Sequence, residues 1–329
     1  MDSLYPLTFR PLFKERVWGG RRLEALYGKA LPPGVPIGES WEISDRVGDV
    51  SVVANGPLAG KDLHYLVQEF GPSLLGKVPS IKGRFPLLVK ILDSCDRLSL
   101  QVHPPGGKAA VLGGEPKTEF WYVAEAEFGA ELYVGLKKHC TRSKFIERIE
   151  GGTVEDCFHK VPVRSGDAMF LPSGRVHALG AGMVIFEIQQ NSDTTYRVFD
   201  WNRSGLDGKP RDLHIKESLE SIDFEDFEPT LVHAEPKASS IEMSSLVKHA
   251  LFSVDLASLK RNETLPLLED QMQILCIVSG ELEAKGADIS VTVGPGQFCL
   301  LPACLKGSVV RALKSATVLR VEAGPGAVS

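Results

Sequence analysis

The sequence predicts a mainly β protein that consists of two related sandwich-like units and a few short helices. Short apolar or alternating runs, bounded by Gly and Pro, occupy 85–92, 97–102, 119–126, 129–136, 166–172 and 182–190. Runs of this length that are rich in Val, Ile, Phe and Tyr are typical of strands. Helical spacing of apolar residues is clearest at 61–70, 142–150 and 213–222. The segment GDAMFLP at Gly166 is also similar to GQFCLLP at Gly296, which indicates an internal repeat.

The repeat divides the chain into a first unit at 1–222 and a second unit at 223–329, joined through the polar stretch 202–212 and the helix after it. At the repeat's offset of 130 residues, His177 falls on Gly307. The strand pattern QILCIVSGELEA before the second copy supplies no pair of His and Glu residues at the place where the first unit has one. We therefore expect the first unit to carry the chemistry and the second to keep only the scaffold.

Composition excludes several classes of function. The 329 residues include 37 basic and 42 acidic side chains, so the net charge of −5 predicts no general attraction to nucleic acid or to an anionic membrane. No apolar run approaches the ~18 residues of a membrane span, and Asp2 stands where a signal peptide is basic. The six cysteines form no Cys-x-x-Cys motif, which favours reduced thiols. We expect a cytoplasmic protein.

Four side chains of the first unit have the residue types and the placement of a metal site. Gln101 and His103 lie two residues apart at the end of a strand pattern, so both point to one face of the strand. Glu119 opens a very apolar strand, where an unpaired carboxylate is costly. His177 ends the pattern G-x-x-x-x-x-P-x-x-x-x-H, which resembles the second motif of the cupin superfamily. Cupins are jelly rolls that hold a metal at the mouth, so the sequence predicts two jelly-roll units and one divalent metal per chain.

Two imidazoles, one carboxylate and one amide oxygen suit a catalytic zinc, although Fe(II), Mn(II) and Co(II) fit the same donors. For the Gln-x-His pattern taken alone, a histidine that is hydrogen-bonded within a β core is the competing interpretation.

Longer stretches around these residues resemble one family, the type I phosphomannose isomerases in their short bacterial form. In chain order, the stretches are VWGGRRL, GESWEISDR, FPLLVKILDSCDRLSLQVHP, EPKTEFWYV, GDAMFLPSGRVHALG and EIQQNSDTTYRVFDWNR. The resemblance implies a metal-dependent interconversion of mannose 6-phosphate and fructose 6-phosphate through an enediol. It also implies that the zinc ligands are Gln101, His103, Glu119 and His177.

The resemblance suggests two catalytic residues, and the position of Lys117 two residues before Glu119 suggests a third; each has a simpler alternative. Arg197 of the T-Y-R motif would stabilise enediolate charge, unless it only ends a strand and pairs with Asp200. Glu187 matches a glutamate proposed for proton transfer, unless it is solvated or ion-paired. Lys117 would contact the sugar or move a proton, unless it is an exposed turn lysine.

The substrate phosphate needs a local cationic or hydrogen-bonding group, because the chain is net negative. The resemblance places Lys90 and Ser99 at the mouth of the site as substrate-binding residues, and charge alone adds Arg97 and Arg203. The role of His214 stays open. The expected partner is a small sugar phosphate, and the chain is expected to be a monomer or a weak homo-oligomer.

Two other functions remain open at this point. Two histidines and a glutamate also form the facial triad of non-haem iron dioxygenases, although a fourth ligand at Gln101 argues against an oxygenase that needs open coordination positions. A non-catalytic sugar-binding cupin would have lost its metal ligands, as the second unit has but the first has not.

Overall fold

The computed structural model describes residues 3–328 and confirms a mainly β protein. Its strands are β1 (Leu12–Gly20), β2 (Ile37–Ile43), β3 (Asp45–Arg46), β4 (Asp49–Val50), β5 (Leu87–Ser94), β6 (Leu100–Val102), β7 (Glu119–Ala126), β8 (Glu131–Leu136), β9 (Phe158–Pro162), β10 (Ala168–Leu171), β11 (His177–Leu179), β12 (Met183–Gln190), β13 (Tyr196–Phe199), β14 (Glu235–Pro236), β15 (Glu242–Lys248), β16 (Phe252–Leu259), β17 (Gln273–Gly286), β18 (Ile289–Val293), β19 (Phe298–Leu301) and β20 (Val309–Ala323).

The helices are few and short. They are α1 (Arg22–Tyr27), α2 (Leu63–Leu75), α3 (Gly106–Ala109), α4 (Arg142–Glu150) and α5 (Ile215–Ser221), with 3-10 turns at Val154–Cys157 and Pro325–Val328. No helix within residues 3–328 combines the length and the apolar character that a bilayer span requires.

The first unit is a sandwich of two antiparallel sheets. The larger sheet has the strand order β1-β2-β5-β12-β7-β10 and the smaller has the order β13-β6-β11-β8-β9. Trp121 and Ile185 from the larger sheet share one apolar cluster with Leu132 and Leu179 from the smaller sheet. The pairing of β6 with β11 places the ends of these two strands side by side, and this core packs β7 of the larger sheet against β11.

The second unit is built on a seven-stranded antiparallel sheet with the order β14-β15-β16-β20-β17-β18, in which β19 also pairs with β17. Its packing is continuous with that of the first unit. The rings of Phe186 in β12 and Phe298 in β19 lie 5.6 Å apart, and the N-terminal Leu7 bridges to Leu300. The proposed boundary after residue 222 falls between α5 and β14.

The predicted helices are present, but one of them ends late. Thr141 accepts a hydrogen bond from the Lys144 N–H and starts α4 at the predicted residue. The prediction of a helix at 61–70 is wrong at its end, because α2 continues to Leu75. Gly71 adopts a non-helical conformation (φ 17°, ψ −99°), and Pro72 then opens a second helical stretch. Proline is tolerated there as a first-turn residue, so the Gly-Pro pair kinks the helix without ending it.

Candidate metal centre and active site

The ends of three strands bring the predicted metal ligands together. Gln101 lies in β6, and His103 follows at once, before two prolines that end the strand. His177 opens β11 and stands directly opposite Gln101 in the antiparallel pairing of β6 with β11. Glu119 opens β7 in the other sheet. All four side chains therefore meet where the two sheets of the sandwich approach each other.

The distances within this group are short. Glu119 Oε1 lies 3.1 Å from His177 Nε2, and Glu119 Oε2 lies 3.5 Å from His103 Nε2. The two imidazole rings are 4.8 Å apart, and the Gln101 amide lies 3.4 Å from His177 Nε2. His103, Glu119 and His177 are at most 1% exposed. A single ion can be reached by one donor atom from each of these three residues, with Gln101 beside them.

The donor set fits a divalent cation. Both nitrogens of His103 and Glu119 Oε1 are buried without a hydrogen-bond partner within residues 3–328, and the other oxygen of Glu119 faces the Lys117 ammonium, at 2.9 Å. Unpaired buried polar atoms are costly, so this group is balanced best by an ion. His177 contacts the Arg175 carbonyl through Nδ1 at 2.9 Å, and a ring that donates this bond keeps its Nε2 lone pair for a metal. These residues form a divalent-metal site.

The protonation states of His103 and Glu119 also suit metal binding. Burial lowers the pKa of His103 to about 3, with the Lys117 charge acting in the same direction, so the imidazole is neutral at pH 7. Burial alone would raise the pKa of Glu119, but Lys117 and the two imidazoles outweigh it and hold that pKa well below its usual value. A neutral imidazole and an ionised carboxylate are the forms that bind metals.

A cavity of about 640 Å³ opens beside the ligands, and Gln101 and Trp121 form part of its wall. Five cationic side chains and five carboxylates line it. The cationic ones are Arg16, Lys90, Lys117, Arg197 and Arg211, and the carboxylates are Glu15, Glu39, Glu187, Asp193 and Asp207. The five positive and five negative formal charges of the lining balance, so the position of each charged group decides what the cavity can bind.

A row of four side chains crosses the cavity face of the larger sheet. Trp41 in β2 pairs with Lys90 in β5, Lys90 pairs with Glu187 in β12, and Glu187 pairs with Trp121 in β7. The Lys90 Nζ lies 3.2 Å from Glu187 Oε2, and the Trp121 indole N–H donates to Glu187 Oε1 at 2.9 Å. Glu187 is therefore buried and not solvated, and it forms the ion pair that its simpler alternative named.

Arg197 lies in the cavity wall and forms no ion pair with a carboxylate within residues 3–328, unlike the other four cations there. It stands opposite Gln101 in the pairing of β13 with β6, and its Nε is buried without a hydrogen-bond partner in the described chain. Its Nη1 lies 3.5 Å from the Asp212 carbonyl oxygen. The alternative in which Arg197 pairs with Asp200 is wrong, because Asp200 instead binds Arg203 at 3.0 Å and Arg211 at 2.5 Å. The Arg197 guanidinium is free to meet an anion in the cavity.

The other predicted residues fall into two groups. Lys117 is buried with its Nζ 2.9 Å from Glu119 Oε2, so it is not an exposed turn lysine, and Ser99 is buried in the cavity wall. The candidates chosen from charge alone lie outside the cavity lining. Arg97 stacks on the Trp201 ring at 3.6 Å, and the guanidinium of Arg203 is bound to carboxylates and to the Arg97 carbonyl.

Sequence reasoning missed several residues of the site. Arg16 and Glu39 reach the cavity from β1 and β2, and Arg211 reaches it from the loop before α5. His214, whose role the sequence left open, also lines the cavity, at the residue before that helix. The stretches VWGGRRL and GESWEISDR were used for the resemblance without a role for any residue. The alternation of Glu39 and Trp41 on one face of β2 was the available signal.

The chain is similar to known proteins of one family over most of its length. A family model described as the catalytic domain of type I phosphomannose isomerase matches residues 7–145. The probable mannose-6-phosphate isomerase GmuF of Bacillus subtilis (strain 168) is 35% identical over 301 residues, which span 91% of this chain and 94% of that protein. The mannose-6-phosphate isomerase ManA of the same organism is 36% identical over 300 residues, or 90% and 93% of the two chains.

The fold is similar as well. A crystal structure of the mannose 6-phosphate isomerase from Bacillus subtilis superposes with a TM-score of 0.87 at 29% identity, covering 97% of this chain and all of that one (100%).

Proposed function

The chain belongs to the type I phosphomannose isomerase family, and we propose that it interconverts mannose 6-phosphate and fructose 6-phosphate through an enediol, as a metal-dependent aldose–ketose isomerase. The observation that carries this proposal is the buried His103–Glu119–His177 group beside a cavity in which Arg197 has no carboxylate partner among residues 3–328. An aldose–ketose exchange needs a base and a group that stabilises developing negative charge, and the cavity supplies both types.

We propose zinc as the metal, held by Gln101, His103, Glu119 and His177. Two nitrogens, one carboxylate and one neutral amide oxygen suit a catalytic zinc site. When bound, the metal would polarise the sugar oxygens next to it. Four protein ligands leave less open coordination than a dioxygenase needs, and family membership argues against a non-catalytic sugar-binding cupin.

Three side chains would carry the remaining chemistry. Glu187 would move the proton between C1 and C2, because it lines the cavity with its Oε1 fixed by Trp121 and its Oε2 facing Lys90. Arg197 would stabilise the enediolate without acting as a base, because its guanidinium keeps its proton. Lys117 would help to orient the sugar hydroxyls or move the second proton, close to the metal ligand Glu119.

We propose that Lys90 and Ser99 contact the substrate from the cavity wall. A phosphate at Lys90 would compete with two carboxylates, so we add Arg16 and Arg211 as further candidates for the phosphate. The small sugar phosphate is the partner, the proposed location is the cytoplasm, and the proposed state is a monomer or a weak homo-oligomer.

A coupled assay tests the function directly. Fructose 6-phosphate release from mannose 6-phosphate is measured for the purified protein, for the chelator-treated protein and for the treated protein after zinc is restored. We expect turnover in the first sample, loss in the second and recovery in the third. An untreated protein that contains metal and does not release fructose 6-phosphate would contradict the proposal.

A further inference from the structure

Lys90 stands between two carboxylates that are held in similar ways. Its Nζ lies 3.2 Å from Glu187 Oε2 and 3.6 Å from Glu39 Oε2, and all three residues are buried. An indole N–H anchors each carboxylate, from Trp41 to Glu39 Oε2 at 2.6 Å and from Trp121 to Glu187 Oε1 at 2.9 Å. The two carboxylates therefore compete for one ammonium group.

The carboxylates of Glu39 and Glu187 differ in the partner of the oxygen that does not accept the indole hydrogen bond. Glu39 Oε1 accepts a hydrogen bond from Arg16 Nε at 2.7 Å. Within residues 3–328, Glu187 Oε2 faces Lys90 alone, at 3.2 Å. Glu39 thus has a second cation, Arg16, beside Lys90, whereas Lys90 is the one cation within ion-pair distance of Glu187 among the described residues.

The charged side chains around Glu187 lie on three neighbouring strands and in the cavity wall. Lys90 faces it from β5, with Glu39 of β2 and Arg16 of β1 behind, while the neighbour on β7 is the neutral Trp121. Lys117 and Asp193 line the same cavity. A buried carboxylate that has an ammonium group to itself is a weak base, and a second carboxylate that draws on that ammonium makes the first more basic.

We propose that Glu39 is a positioning residue for the isomerisation. Glu39 shares the Lys90 ammonium with Glu187 and thereby sets how basic Glu187 is. The inference rests on the proposed role of Glu187 as the base. Arg16 acts in the opposite direction, because it neutralises Glu39 and reduces the pull of Glu39 on Lys90.

The test compares two variants with opposite expected signs. Glu39→Gln removes the competing charge, so the acidic limb of the pH profile of kcat/KM shifts to lower pH by about one unit. Its plateau kcat falls about 3–10-fold, because the base is weaker, with a smaller change in KM. Arg16→Gln removes a positive charge, so the acidic limb shifts to higher pH. Metal content is measured at every pH, and only fully loaded samples are compared.

Loss of structure alone would not move the acidic limb in two directions. Unmoved limbs in both variants, or shifts of the same sign, would overturn the inference while the proposed function stands, because the wild type remains active. Retention of the acidic limb in Glu187→Gln would also overturn it, since Glu39 would then have no base to act on. An inactive, metal-loaded wild type is the separate outcome that contradicts the proposed function.

Discussion

Gln273 in the second unit occupies the place that Glu119 holds in the first. Leu171 pairs with Glu119 across β10 and β7, and Leu301, 130 residues after Leu171, pairs with Gln273 across β19 and β17. The Gln273 amide is buried and bound to the backbone of Leu268, donating at 3.0 Å and accepting at 3.1 Å. A neutral side chain whose two ends are both bound stands where the first unit has its metal carboxylate.

The protein is therefore expected to bind one metal ion per chain. Gln273 is satisfied by the backbone, and Gly307 stands at the repeat position of His177, so the second unit lacks two of the required donors. Elemental analysis after dialysis should give one equivalent of metal per chain. Two equivalents of comparable affinity would show that the second unit is also a metal site.

Arg197→Lys is expected to lower kcat by about 100-fold with a much smaller change in KM. Lysine keeps the positive charge but lacks the planar guanidinium, and an interaction that is strongest in the transition state affects mainly the barrier. Steady-state kinetics measures both constants.

Arg164→Lys is the control for this variant, because Arg164 is exposed and lies outside the cavity lining. It should retain wild-type kinetics. A nearly normal kcat in Arg197→Lys would remove the guanidinium from the mechanism.

Glu39 is expected to make the fold sensitive to acid. Burial alone would raise its pKa, but Lys90 and Arg16 outweigh it and hold the pKa of Glu39 at about 2, below the usual 4.5. A carboxyl group with a lowered pKa in the folded state stabilises the protein fully above pH 4.5 and loses this contribution as the pH falls toward 2.

Chemical denaturation measures this effect as the free energy of unfolding at several pH values. The Glu39 contribution lost between pH 4.5 and 2 is about 3 kcal/mol. Glu39→Gln lacks the titrating group, so its free energy of unfolding should fall less steeply over this range. Equal slopes in the wild type and the variant would contradict the assignment of the lowered pKa to Glu39.

The sequence predicted those parts of the site that depend on local order. The run 119–126 is β7, and its alternation places Glu119 and Trp121 on one inner face. Gln101 and His103 likewise share a face because they lie two residues apart at the end of a strand. The four candidate metal ligands could be identified because each lies in or next to a short strand pattern whose boundary Gly or Pro marks.

The remaining features depend on contacts between distant segments. The network from Arg16 through Glu39 to Lys90 forms because β2 lies between β1 and β5, and spacing along the chain does not reveal which strands are neighbours. The conformation of one loop decides that Arg211, and not Arg203, lines the cavity. Trp201 and Asn202 adopt positive φ angles of 58° and 54° there, a turn that residue types alone do not predict.

The proposed isomerase activity depends on one buried metal site in the first unit. The measurement that tests it most directly is metal content and fructose 6-phosphate release on the same samples of wild type, His103→Ala, His177→Ala and Cys299→Ser. Cys299 is a buried thiol of the second unit and serves as the matched control for altering a buried side chain. Both histidine variants should lose stoichiometric metal and turnover while Cys299→Ser keeps both. Full metal occupancy with turnover in the two histidine variants would contradict the account.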